Sequence, residues 1–281
     1  MLVPMTSATD IVSWVGAEQG PRAHVAITVF HMASPLVVAG QLYKLGNQTL
    51  RGLTRVMGDR LWHVVKKRGA KTRTPAPLPP GFKRLEPVHR QYSGLARGTK
   101  VHEQMADLVK HDILAFHRNH PEGAHNYALR ALRTLYNEGI LVFRCEVPVF
   151  SASRTMATRL DFVGVRRDTG QLVCGELKTG YNDGSFQTGV VDGQWRPGTP
   201  MRRAQLPCTA FERAKLQIAL GTLMLGEVLA AQEQVRSVIA ECVVVHVDDR
   251  HVRLHWVPAS YLKGVAAQTY QWLGLSEAPP A

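Results

Sequence analysis

The sequence predicts an α/β fold with a mixed β-sheet flanked by helices, and three observations carry that expectation. Residues 140–180 hold three strand-like runs in succession, ILVFRCEVPVF, TMATRLDFVGVRR and LVCGELKTG, rich in Val, Phe and Ile. A long run, TAFERAKLQIALGTLMLGEVLAAQ, then follows with the length and composition of a helix. It leads into SVIAECVVVHVD, whose β-branched content again reads as strand. Strands, helix and further strands in that order describe a layered sheet rather than a bundle.

Along the chain, residues 1–36 show no clean period, and HVAITVF at 24–30 reads as a strand or a buried helical turn. From about 37 to 68, apolar residues at helical intervals end in a cationic turn and Gly69, which predicts a helix. Residues 69–97 are rich in Pro and basic side chains and read as an arm. Helices are expected over about 98–118 and from Pro121, a residue suited to a first turn, to Glu138. The three strands follow, and the turn DTG folds the last two antiparallel. Counting from Asp168–Gly170 sets Asp161 and Glu176 near one end of the sheet but not directly opposite each other. Residues 181–207 form a long polar loop, a length that tends to mark function. The long helix, strand 237–248, strand HVRLHWV and the helix PASYLKGVAAQTYQWLGL close the chain before a tail. The expected organisation is a helical, basic extension over 1–93, a core over 94–273 and a tail over 274–281.

Composition is that of a globular protein, with 45% hydrophobic and 20% charged residues and a mean hydropathy of −0.12. No membrane span and no secretory or mitochondrial leader is expected. Cys145, Cys174, Cys208 and Cys242 are far apart without a CxxC pair, which suits buried thiols in a reducing intracellular compartment: cytoplasm, nucleus or viral factory, with the mitochondrion left open. Thirteen Lys or Arg between residues 51 and 100 face two acids, so that segment carries eleven of the twelve net positive charges. Such concentration is the footprint expected for a polyanion, most simply nucleic acid; a solvated basic face is the plainer alternative. HEQMA lacks the second histidine of HExxH, excluding that zinc protease pattern, and no GxxxxGK[ST] is present.

The chemistry concentrates in RLDFVGVRRDTGQLVCGELKTG. Asp161, Glu176 and Lys178 fall where strand interiors are usually apolar. Two carboxylates converging there need a cation between them, and oxygen ligands suit Mg²⁺ or Mn²⁺. Lys178 would then be a fixed charge beside the metal, able to orient a water or stabilise a pentavalent phosphate. An exposed ion pair on a surface hairpin is the alternative.

D-x14-E-L-K resembles the PD-(D/E)XK nuclease signature. GLARGTKVHEQM (94–105) resembles the G-T-x-x-H motif of RecB-type relatives, with His102 the match. KLQIALG (215–221) occupies the place of the glutamine helix, with Gln217 the match. Thr158 stands where a glycine is common three before the aspartate, and Gly221 where a tyrosine follows the glutamine by four. The resemblance covers about residues 94–257. It implies a restriction-endonuclease-like αβββαβ core and one or two Mg²⁺ or Mn²⁺ held by His102, Asp161, Glu176 and the Leu177 carbonyl. Asp161, Glu176, Lys178 and Gln217 would be catalytic. Glu146 is a candidate supporting or second-metal carboxylate. Thr179 with Gly180, Lys66, Lys67, Arg68, Arg202 and Arg203 are candidate contacts to DNA, and Trp62 and Trp195 are candidates for base stacking or for core. The implied activity is metal-dependent hydrolysis of DNA, with an exonuclease of RecB-like or lambda-exonuclease-like type favoured, acting on ends in repair, recombination or replication. A catalytically inactive nucleic-acid-binding relative and a structure-specific endonuclease remain alternatives. A homo-oligomer or a replication or recombination partner is compatible with all three.

Overall fold

The computed structural model describes residues 26, 29, 32, 35–39, 42–64, 94–110, 113–180, 186, 193–231 and 240–276. Lys66, Lys67, Arg68 and most of the expected Pro-rich arm lie outside them. The fold is α/β, built on a mixed sheet of mostly antiparallel strands flanked by helices.

Its centre is the antiparallel meander β5 (Ile140–Phe150), β6 (Met156–Arg166) and β7 (Leu172–Thr179). β9 (Glu241–Val247) lies parallel to β7, and β10 (Val252–Val257) pairs antiparallel with β9. β7 is buried along its first six residues, as a strand covered on both faces must be. On one face α2 (Gly94–Lys110) and α4 (Asn126–Asn137) set Val101, Met105 and Leu135 against Val173, Leu177 and Val243. On the other, α6 (Ala210–Ala231) sets Leu216, Leu220 and Met224 against Cys174 and Val244. The 22-residue α6 is long and apolar enough to cross a membrane by length and composition, contrary to the expectation that no run is; about half of its most apolar window is buried, against this sheet. A Cβ on its Gly221 would meet the Leu160 side chain of β6 at 2.7 Å. None of the four cysteines is in a disulfide. Cys174 and Cys242 are register neighbours in β7 and β9, and burial pushes the Cys174 thiol up to about 12 and that of Cys242 higher still.

The helix expected over 37–68 is corrected. Within residues 36–64 the described residues form a second meander, β1 (Leu36–Ala39), β2 (Leu42–Leu45) and β3 (Gln48–Gly52), followed by the short helix α1 (Leu53–Arg60) and β4 (Trp62–Val64). The break is at Gly46-Asn47, where Gly46 has φ 58° and reverses the chain between β2 and β3. β3 pairs parallel with β6 at Arg51↔Met156 and Gly52↔Ala157, so this region joins the central sheet rather than standing apart as a helical extension. Pro121 does not open a helix; α4 starts at Asn126, where the His125 ring accepts from the Tyr127 N–H as a cap. α2 ends at Lys110, and a separate α3 (Ile113–Asn119) follows. The 181–207 stretch holds β8 (Gly193–Trp195), paired with β4, and the short α5 (Pro200–Arg203). The closing helix α7 runs Ala259–Tyr261 and Ala267–Trp272 around a π-helical turn at Leu262–Ala266.

Candidate metal centre

The β6–β7 register is one residue different from the expected one. Val165 faces Leu172 and Phe162 faces Gly175, because the turn is the four-residue Arg167–Gly170, closed by Gly170 N–H donating to the Arg166 carbonyl. The registered pairs end at Phe162↔Gly175, one residue short of Asp161 and Glu176. There the ladder is replaced by a side chain: the Leu177 N–H donates to Asp161 Oδ2 at 2.6 Å. Gly175 is required at this level, since the Phe162 ring lies over it and a Cβ would fall 1.8 Å from Cζ. On the opposite edge of β6, β5 pairs through Cys145↔Phe162 and Val147↔Leu160, which leaves Glu146 across from Asp161. Glu146 has φ 52°, uncommon for a residue with a side chain, and its carboxylate is brought to the same point.

α2 completes the cluster. His102 Nδ1 lies 3.4 Å from Asp161 Oδ1 and 3.6 Å from Glu146 Oε1, while Nε2 meets the Leu177 carbonyl at 3.1 Å. A carbonyl only accepts, so Nε2 carries a proton and Nδ1 is the nitrogen turned toward the carboxylates. One ligand atom each from His102, Glu146 and Asp161 lie within 4.8 Å of one another. That donor set, two carboxylates with one imidazole, could hold a metal ion. Electrostatics agree. Burial opposes a charged His102 ring, but Asp161, Glu146 and Glu176 overcome it and raise its pKa well above the usual value. Burial also pushes Asp161 up, yet His102, Lys178 and the Leu177 N–H hold its carboxyl below the normal range. The spot favours positive charge.

Glu176 is buried behind this trio and is not one of it. Its Oε1 holds Lys178 Nζ at 2.5 Å, and burial with the Asp161 charge pushes its pKa up to about 7 against that partner. The expected ligands His102 and Asp161 therefore converge, Glu146 stands in the group where Glu176 was expected, and the Leu177 carbonyl is engaged with His102. His102, Glu146, Asp161 and Leu177 border one cleft of about 890 Å³, which Lys178, Thr179 and Gln217 also line and Glu176 does not. Gly180, at φ 97°, turns the chain after Thr179, and its carbonyl accepts from His246 at 2.8 Å. Arg202 and Arg203 are on α5 and exposed, outside the cleft lining. Trp195 is buried edge-on against Trp62, which makes it core rather than a stacking platform. Among the lining residues that went unnoticed in the sequence, with Thr54, Asp107, Asn119 and His120, are Tyr43 and Arg159. Arg159 carried a signal, being a cation two residues before Asp161; Tyr43 carried none, because its segment read as helix. Neither a protein-family model nor a curated protein matches the chain.

Proposed function

We propose that this protein is a metal-dependent nuclease of the PD-(D/E)XK kind that hydrolyses phosphodiester bonds in DNA, with an exonuclease favoured. The observation that carries the reading is the convergence of His102, Glu146 and Asp161 with Lys178 in one open cleft, where buried Glu176 holds the Lys178 ammonium. The element order supports it: α2, then β5, β6 and β7 antiparallel, then α6, then β9 parallel to β7, the αβββαβ order of that family.

His102, Glu146 and Asp161 would hold the Mg²⁺ or Mn²⁺. A bound ion would polarise the scissile phosphate and lower the pKa of water attached to it. The chain's own groups do the rest. Lys178, anchored by Glu176, offers its ammonium to the attacking water or to a phosphate oxygen as charge builds there. The Leu177 carbonyl fixes which His102 nitrogen is turned away from the site. Thr179 and Gln217 are hydrogen-bonding groups on the cleft wall that can orient the strand. In the hydrolysis the water oxygen forms a bond to phosphorus, the bond to one ester oxygen breaks, and that oxygen leaves with a proton.

The test is an assay of purified wild type and Lys178→Ala on labelled linear and covalently closed circular DNA with Mg²⁺, Mn²⁺ or EDTA. The expected result is cleavage of linear DNA that EDTA abolishes and the variant reduces roughly 10²-fold or more. No metal-dependent cleavage, or equal cleavage by the variant, would overturn the reading. Cutting of closed circles would make the enzyme an endonuclease.

A further inference from the structure

A polyanion entering this cleft meets a wall crowded with carboxylates, Glu103, Asp107, Glu146 and Asp161 among them. Cations must offset them, and the Lys and Arg side chains among the described lining residues are Lys100, Arg159 and Lys178. Lys100 is held by Glu122 at 2.7 Å and Lys178 by Glu176 at 2.5 Å, each through a single ammonium. Arg159 differs in chemistry. Its Nη1 meets Glu146 Oε2 at 3.0 Å, yet the side chain is 41% exposed and a guanidinium offers five N–H donors in a planar fork. One arm can hold Glu146 while another faces the cleft.

The second group comes from the N-terminal meander. The β3–β6 pair ends at Gly52↔Ala157, two residues before Arg159, and Tyr43 faces Leu50 across β2–β3. Tyr43 packs with Leu36, Leu50, Ala157 and Phe150 in a small core of its own, with its ring over Gly52. Its hydroxyl faces the Arg159 guanidinium. Burial raises the Tyr43 pKa, against the Arg159 charge, so the hydroxyl keeps its proton as a donor. Two donors from different parts of the chain thus meet at the cleft wall on the side of Glu146 away from α2.

We propose that Arg159 and Tyr43 form a phosphate-binding subsite next to the metal centre, which grips a phosphate of the nucleic acid beside the one being cleaved. The subsite deepens the nuclease reading and rests on it. It also gives the β1–β3 meander a function, because that meander brings Tyr43 to the Arg159 guanidinium. The ligand is a phosphate monoester at a DNA end or a diester within the strand, and the two differ in which substrates feel the loss.

The experiment compares wild type, Arg159→Lys, Arg159→Gln and Tyr43→Phe, each with a thermal melt to establish folding. Binding is read by fluorescence anisotropy in EDTA with a 20-base-pair duplex bearing a 5′-phosphate or a 5′-hydroxyl, and steady-state cleavage is read in Mn²⁺. Arg159→Lys keeps a cation for Glu146 but loses the fork, so KM should rise roughly 10-fold with kcat little changed. Arg159→Gln should weaken binding roughly 10–100-fold and Tyr43→Phe by about 3–10-fold. A loss confined to the 5′-phosphorylated duplex identifies the terminal monoester, and an equal loss on both identifies the internal diester. Folded variants that bind and cleave like a cleaving wild type would overturn the subsite alone. A folded wild type that neither binds nor cleaves either duplex would overturn the subsite together with the nuclease reading.

Discussion

β7 and β2 belong to the same eight-stranded sheet and both bring a side chain to the cleft, but they are held there by opposite means. β7 is central, covered by helices on both faces and paired on both edges, so Lys178 is fixed by everything around it. β2 alternates exposed and half-buried residues and reaches the rest of the sheet through β3, which touches β6 at two registered positions. Apolar side chains such as Val37, 61% exposed, and Leu42, 54% exposed, are left in solvent there. The lesson is that one half of the cleft is built into the core and the other half is docked onto it.

The largest effect that would test this contrast is chemical. Asp161→Asn removes a charge that His102, Lys178 and the Leu177 N–H all address, and metal-dependent cleavage should fall by at least ~10²-fold while the melt stays cooperative. Retention of activity would move the reacting centre elsewhere. Next comes the packing of the central strands. Gly175→Ala drives a methyl into the Phe162 ring and should cost about 3 kcal/mol, at the top of the range for overpacking a core. Denaturant unfolding measures it, and a loss below about 1 kcal/mol would mean that the ring can move aside.

A pH effect follows at the end of the same strands. Burial works to raise the Asp248 carboxyl, but the N–H groups of His251 and Arg250 and the Arg253 guanidinium hold it down to about 2. A carboxyl lowered on folding adds stability that is complete above its unfolded value, about 3.9, and lost as pH falls through its folded one. Wild type should therefore lose roughly 2 kcal/mol relative to Asp248→Asn between pH 5 and pH 2. Parallel pH profiles for the two proteins would show that the turn does not hold the charge. The smallest effect belongs to the docked half: Val37→Thr and Leu42→Ser should change stability by no more than about 0.5 kcal/mol. A larger loss would show that the exposed side of the meander is covered by another surface.

The same contrast decides what was legible in the sequence. β5, β6, β7, α6 and β9 could be read because strands buried on both faces and a buried helix write long apolar runs. His102, Asp161 and Lys178 stood out as polar breaks in or beside those runs. The meander β1–β3 could not be read this way. Leu50, Leu53 and Val56 are spaced as on a helix, and that spacing obscured the Gly46-Asn47 turn before them. The β6–β7 register was misjudged by one residue, since a turn of four residues and one of three leave nearly the same trace. The place of Glu146 follows from its positive φ and from its position opposite Asp161, which depends on pairing between strands rather than on neighbours in sequence.

The cysteines lend themselves to a kinetic clock. Cys174 and Cys242 lie side by side in β7 and β9, buried and with thiols far too weakly acidic to attack an electrophile at neutral pH. Alkylating reagents reach them only when those two strands part. The rate at which these two sulfurs are capped therefore counts openings of the sheet beneath the candidate metal centre, and a ligand that binds the cleft should slow the count in proportion to its occupancy.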